Sequence, residues 1–386
     1  MKKRIWFVLI FALSNIFCAC SQEKKEYEGT LIHGFETYEA ARKYTYEEWF
    51  GKAQVNFDRA YVSEGNASLK VQPTGDFDKK EEYPYFGVNT SDKENVFFSD
   101  FSSFSSITLD IFNPNGKAMK IGVCLQAETG AAQAASTPLT YFTASEGVWT
   151  RCEYFLTPAM KYAFDNLNSV TRVMVAFTDK KQFAGEENYS LYIDNLRGIA
   201  EETENSYEVA RSADGVFLNF ESPDDKNALD YFWVSKFACF MADSESNVDR
   251  RYVYGGNGSL KLTIRNSFVD YSKTNDDAYV GVALTQKILK TALKGADTFS
   301  FVVFNDCDTA QTVKVRYYLT AYEDRYYTLP PKEFTMCSVY DENLSGATKI
   351  TIKFSDEYIE SNGGKSKVFY LDEFKALKSK AANGEN

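Results

Sequence analysis

The chain has 386 residues, 43 Lys and Arg against 54 Asp and Glu, and a formal net charge of −11. The length suits two domains rather than one, and 44% hydrophobic with 25% charged residues excludes a disordered chain. The acidic balance repels phosphate backbones, so nucleic acid is not an expected partner.

At the amino terminus Lys2, Lys3 and Arg4 precede an apolar run over residues 5–17, broken only by Ser14 and Asn15. A membrane-spanning helix needs about 20 apolar residues, so this shorter run reads as a secretory signal. It ends in "FCACS". There Ala19 directly precedes Cys20, an arrangement similar to a bacterial lipobox. Cleavage before Cys20 and lipidation of Cys20 are expected, with an ordinary secretory signal as the alternative. Losing residues 1–19 removes three positive charges and no negative ones, taking −11 to −14. Residues 20–29 then form a polar tether.

Residues 30–199 read as a first β-rich domain. Ile107, Leu109 and Ile111 alternate with Thr108, Asp110 and Phe112. Met119, Ile121, Val123 and Leu125 alternate with Lys120, Gly122, Cys124 and Gln126. Such period-two runs, cut by turn clusters such as "NPNG" and "ASEG", are strand signals. Residues 200–214 are polar and acidic and read as a linker. In a second domain, 215–378, Val313, Val315, Tyr317 and Leu319 alternate with Lys314, Arg316, Tyr318 and Thr320. "KILKTALKGA" is the one short helical stretch. Residues 379–386 read as a frayed tail.

The second domain repeats the first. "GNASLKV" over 65–71 returns as "GNGSLKL" over 256–262. In the same order, "GFE" at 34–36 matches "NFE" at 219–221, and "YFGV" at 85–88 matches "YVGV" at 279–282. "TYFT" at 140–143 matches "RYYT" at 325–328, and Cys152 matches Cys337. "VMVAF" at 173–177 matches "ITIKF" at 350–354, and "LYIDNLR" at 191–197 matches "FYLDEFK" at 369–375. Many short strands in each copy predict an all-β fold of two tandem β-sandwiches. Trp49 and Trp233 read as a repeated structural pair.

Catalytic signatures are sparse. Past the signal, five cysteines besides Cys20 remain, with no CxxC, which argues against a zinc site or a disulfide framework. They read as buried hydrophobes. His33 is the single histidine, so no two-His site forms within one chain. There is no G-x-S-x-G elbow, no P-loop and no paired-carboxylate strand pattern. The chain is not expected to be an enzyme; a polysaccharide lyase using Tyr, Arg and Lys is the weaker alternative.

The early Phe-Glu, the later Trp, the "GNxSLK" phrase and the closing "YIDN" together resemble jelly-roll carbohydrate-binding modules of the galactose-binding-like superfamily. The tandem arrangement behind a lipobox is similar to surface glycan-binding lipoproteins of Bacteroidetes. This implies a lipid-anchored outer-membrane protein that captures polysaccharide or oligosaccharide beside an importer complex. The alternative is a lipoprotein that docks the importer or another partner without binding sugar. The resemblance also implies structural calcium, held in part by Glu36 and Asp194 in the first copy and by Glu221 and Asp372 in the second. The alternative is that the glutamates cap a strand edge or pair with a lysine.

A sugar ring is met by exposed aromatics on its C–H face and by polar groups on its rim. In "VRYYLTAYEDRYYTL", Arg316, Tyr318, Thr320 and Tyr322 share a face of one strand, with Tyr326 beyond the turn. Their first-copy counterparts are Gly122, Cys124, Gln126 and Glu128, which lack aromatics. Arg316, Tyr318, Tyr322 and Tyr326 are therefore the candidate ligand residues. The alternative is that these tyrosines pack within the fold.

Overall fold

The computed structural model describes residues 28–37, 45–46, 51–73, 85–89, 100–128, 134–164, 167–177, 189–200, 207, 209–229, 231–233, 242–264, 280–354 and 366–379. Cys20, Trp49 and the tail beyond Ser379 lie outside the described residues.

The first half contains β1 (Thr30–His33), β2 (Thr45–Tyr46), β3 (Gly51–Asn56), β4 (Ser68–Pro73), β5 (Tyr85–Asn89) and β6 (Ser106–Phe112). It continues with β7 (Met119–Glu128), β8 (Ala134–Ser136), β9 (Thr140–Ala144), β10 (Trp149–Phe155), helix α1 (Pro158–Ala163), β11 (Val170–Phe177) and β12 (Leu191–Ile199). The second half contains β13 (Val216–Leu218), β14 (Tyr231–Trp233), β15 (Ala242–Asn247), β16 (Ser259–Ile264) and β17 (Val280–Leu284). Helix α2 (Gln286–Ala292), β18 (Thr298–Asn305), β19 (Gln311–Tyr318), β20 (Tyr322–Leu329), β21 (Phe334–Tyr340), β22 (Lys349–Phe354) and β23 (Lys367–Leu377) follow. Both predicted sandwiches are present, and the fold is all-β.

Each half lays one six-stranded antiparallel sheet against a second sheet. The first is ordered β10-β6-β12-β4-β3, with β1 also on β12; its repeat is β21-β18-β23-β16-β15, with β13 on β23. Between the sheets of the first half lies a core of residues such as Leu69, Ile111, Val123, Val175 and Ile193. The second half buries Leu260, Phe301, Val315, Ile352 and Leu371 in the same way. Strand β19 shows why: Val313, Val315 and Tyr317 are fully buried while Thr312, Lys314, Arg316 and Tyr318 are not. Burying each valine contributes roughly 1.5–3 kcal/mol, which fixes the face that points inward. Cys124, Cys152, Cys307 and Cys337 are buried and unpaired, as expected of small hydrophobes.

The second sheets of the two halves are not separate. They join into one eleven-stranded sheet, β2-β5-β11-β7-β8-β14-β17-β22-β19-β20, with β9 also on β7. The joint is β8 against β14, Tyr231 opposite Ser136 and Trp233 opposite Ala134. Beside it, α1 starts at the N-cap Thr157 with Pro158 in its first turn, and its buried Ala159 and Ala163 belong to the second half's core cluster. Asp224 accepts a hydrogen bond from the Ala159 amide at 3.2 Å. Two described residues of the stretch read as a linker pack here: Val209 is buried, and Tyr207 packs 5.8 Å from Tyr162 and bonds Asp225 at 3.3 Å.

One sequence reading is corrected. The strand read from Arg316 through Tyr322 ends at Tyr318, and residues 319–321 form the turn between β19 and β20, so Tyr322 lies on the same strand as Tyr326. The repeat register shifts with it. Cys124 pairs with Met174 where Arg316 pairs with Thr351, so Arg316 corresponds to Cys124 and Tyr318 to Gln126.

Candidate functional site

The outer face of β22, β19 and β20 is a three-by-three array, because antiparallel partners directly opposite one another project to the same side. At the hairpin end Lys349, Tyr318 and Tyr322 lie in one row. The middle row is Thr351, Arg316 and Asp324, and the third is Lys353, Lys314 and Tyr326. All four candidate ligand residues therefore share one face, although two of them sit on the neighbouring strand.

The array is internally braced. Arg316 grips Asp324 in a bidentate pair, Nε to Oδ1 at 2.7 Å and Nη2 to Oδ2 at 2.8 Å. That guanidinium holds the Asp324 carboxyl below the ordinary aspartate value, and Asp324 in turn raises Arg316. The Arg316 guanidinium also lies 4.0 Å from the centre of the Tyr322 ring. Tyr318 and Tyr322 pack at 6.3 Å and 55°, and the Lys314 ammonium lies 5.9 Å from the Tyr326 ring. Arg316 is thus a brace for Asp324 and Tyr322 rather than a free donor. Tyr322 and Tyr326 remain 58% and 65% exposed, against the expectation for packing residues. Four residues along a strand separate them by about 13 Å. Asp324, Lys314, Lys349 and Lys353 were missed in the sequence. The alternation placing Lys314 and Asp324 on this face was readable once the turn was recognised; the β22 residues were not.

The four carboxylates assigned to calcium lie at the repeated turn. Asp194 accepts from the Ser63 and Glu64 amides at 2.8 and 3.1 Å and from the Asn195 amide at 2.7 Å. Asp372 accepts from the Tyr254, Gly255 and Glu373 amides at 2.8, 3.0 and 2.7 Å. Glu36 accepts from the Asn66 amide at 2.8 Å, and Glu221 from the Asn257 amide and side chain at 2.5 and 3.1 Å. Gly65 and Gly256 have φ of +72° and +67°, and a Cβ on either would meet a glutamate oxygen at 1.7 Å. Only glycine therefore permits this close approach.

The turn carbonyls are also engaged: Arg59 donates to the Gly65 carbonyl and Arg250 to that of Gly256. Calcium gathers several free oxygens. Here oxygens face N–H donors, a guanidinium takes the turn carbonyl, and the described residues hold no group of three His, Cys, Asp or Glu suited to a metal. As arranged, these residues do not fit a calcium ion; they tie the turn to the first and last strands. Burial pushes Asp194 up to about 7 and Asp372 up to about 6, against the opposing pull of the amide donors. His33 is structural as well, its Nδ1 accepting from the Phe35 amide at 2.9 Å.

No protein-family model matches the chain, and no curated protein matches it in sequence. Among solved structures it is similar to the N-terminal CBM22-1–CBM22-2 tandem domain of Paenibacillus barcinonensis Xyn10C, at 12% identity and a TM-score of 0.29, over 93% of this chain and 100% of that one. It is also similar to a family 11 carbohydrate-binding module from Clostridium thermocellum in complex with a β-1,3-1,4-mixed-linked tetrasaccharide. That match has 12% identity and a TM-score of 0.27, over 42% of this chain and 89% of that one. A third is the C-terminal family 22 module of Clostridium thermocellum Xyn10B, with 16% identity and a TM-score of 0.26, over 44% and 97% of the two chains.

Proposed function

We propose that the chain is a glycan-binding protein whose principal site is the outer face of the β19–β20 hairpin. The observation that carries this reading is the pair of exposed rings, Tyr322 and Tyr326, on one rigid strand beside the Arg316–Asp324 brace. Exposed aromatics held at low conformational cost give a sugar its apolar platform, and the charged rim supplies hydroxyl partners. Binding proceeds without catalysis. Asp324 is the one carboxylate among the described residues of this face, and a glycosidase works with two. Lipidation at Cys20 holds the protein at the outer membrane, where it passes glycan to an importer complex.

Affinity electrophoresis of a Tyr322→Ala, Tyr326→Ala variant against a polysaccharide panel tests the site. Loss of retardation with unchanged melting supports it; wild-type retardation overturns it. For the anchor, Cys20→Ala is expected to release the protein from membranes, and unchanged membrane fractionation would count against lipidation.

A further inference from the structure

The outer face of the six-stranded sheet differs between the halves in one connected group of residues. In the first half that group is polar. Asp110, opposite Asp194 across β6 and β12, is gripped by Arg151 at 3.0 and 3.3 Å and takes a bond from the Ser63 hydroxyl at 3.2 Å. The register gives each residue a counterpart in the second half. Val302 pairs with Asp372 as Asp110 pairs with Asp194, and Met336 pairs with Val302 as Arg151 pairs with Asp110. Tyr254 donates its amide to Asp372 as Ser63 donates to Asp194. An aspartate, an arginine and a serine are thus replaced by valine, methionine and tyrosine.

The exchange leaves apolar surface in water: Tyr254 is 50% and Met336 56% exposed. The first half shows that the fold does not require it. The Tyr254 ring rests against Phe334 at 5.5 Å, and Phe334 against Phe304 at 4.8 Å, so the ring is held from one side and open on the other. A polar pair lies alongside, with the Lys375 ammonium 2.9 Å from a Glu373 oxygen. Lys375 is held above the ordinary lysine value, chiefly by Glu373, and Asp214 and Tyr254 lie close enough to contribute. An ammonium has three donors and a carboxylate several acceptor positions, so this pair has capacity left for hydroxyls.

We infer that Tyr254 carries a second, weaker glycan subsite, in which one sugar ring lies on Tyr254 and Met336 and its hydroxyls meet Lys375 and Glu373. This rests on the glycan-binding reading above but uses none of the hairpin residues. The size of the patch decides between a sugar and a protein. A stable protein partner covers about 800 Å² on each side. A fully buried aromatic side chain supplies about 150–250 Å², and this ring is half covered already. One exposed ring and one thioether, edged by a donor and an acceptor, match the C–H face and hydroxyl rim of a single pyranose.

The test is saturation-transfer NMR of the full chain with xylohexaose, cellohexaose and galactotetraose. In the Tyr322→Ala, Tyr326→Ala variant, which removes the hairpin platform, binding with a Kd of about 1 mM is expected to persist for a sugar the parent binds, too weak to retard the chain in a gel. Adding Tyr254→Ser is expected to weaken that residual binding about tenfold. Serine is the first half's own residue here and keeps the amide bond to Asp372. Should that variant melt early, Lys375→Ala, which leaves the ring in place, is expected to weaken the residual binding instead. Residual binding untouched by the substitution, or none in the hairpin variant while the parent binds, overturns the subsite and leaves the hairpin reading standing. No binding of any of the sugars by the parent overturns both.

Discussion

The two halves carry the same hairpin and use it for different ends. In the first, β7 runs ten residues, and the segment after it supplies β8, which crosses to pair with β14 of the second half. The face this leaves behind is closed: Gln126, Cys124, Met174 and Arg172 are buried, and Leu139 packs over Gly122. Tyr141 is packed against the buried cluster, with the Lys120 ammonium 3.9 Å from its ring. In the second half the hairpin closes in a tight turn over residues 319–321, and β20 ends the sheet with Tyr322 and Tyr326 exposed. One duplicated element thus became a joint in one copy and an open face in the other. A repeat preserves its inward residues because both copies must bury a core, while its outward residues answer to whatever each copy meets.

The largest expected effect breaks the feature the halves share. Asp372→Ala leaves three partly buried amides without their carboxylate acceptor and should cost about 3 kcal/mol, read by urea denaturation. A cost below 1 kcal/mol would remove the turn-anchoring role. Asp194→Ala should cost at least as much. Asp194 is fully buried, lies directly opposite Asp110, and takes an additional bond from the Ser63 hydroxyl at 3.2 Å.

Next comes the joint. Ala135→Pro removes a backbone donor from the central strand of the bridge between β7 and β14. Calorimetry should resolve two unfolding transitions in the variant where the parent shows one. A single unshifted transition would mean that the joint does not couple the halves.

The two tyrosine positions sharpen the comparison further. Tyr326→Ala should weaken glycan binding by about 1–3 kcal/mol with melting unchanged. Tyr141→Ala, its equivalent in the first half, should lower melting and leave binding intact. The opposite pattern would place the site in the wrong half.

The acidity of the buried aspartates separates the halves by a smaller margin. Their folded pKa values lie above the unfolded value, so the folded state holds extra protons between about pH 4 and the folded pKa. Stability from this source is full below about pH 4 and is lost as pH rises toward 7 for Asp194 and toward 6 for Asp372. Asp194→Asn should flatten the fall between pH 6 and 7 more than Asp372→Asn does, measured by chemical denaturation at each pH. The smallest effect concerns calcium. With N–H donors on these oxygens, chelator should leave melting unmoved, and a drop on adding it would restore a metal at the turns.

Much of the fold was legible in the sequence because its signals are local. Period-two alternation through Val313, Val315 and Tyr317 specified an inward face, and the doubled "GNxSLK" phrase revealed the duplication. Glycine before the phrase marked a left-handed turn that no Cβ could enter. The aromatic excess of the second copy over the first was equally visible, and it pointed to the hairpin that the structure leaves open.

Pairing between distant strands was not legible, and it decided the rest. Lys353 joins Lys314 and Tyr326 only because β22 returns beside β19. The first-half face closes only because β8 finds β14, nearly a hundred residues away in the chain. Even the partners of Glu36 and Asp194 depended on how the first and last strands bring donors to a carboxylate. A sequence specifies which side of a strand is apolar, because burial is a property of single residues. Which polar residues meet on the other side depends on register between strands, and that is fixed only when the whole sheet closes its hydrogen bonds at once.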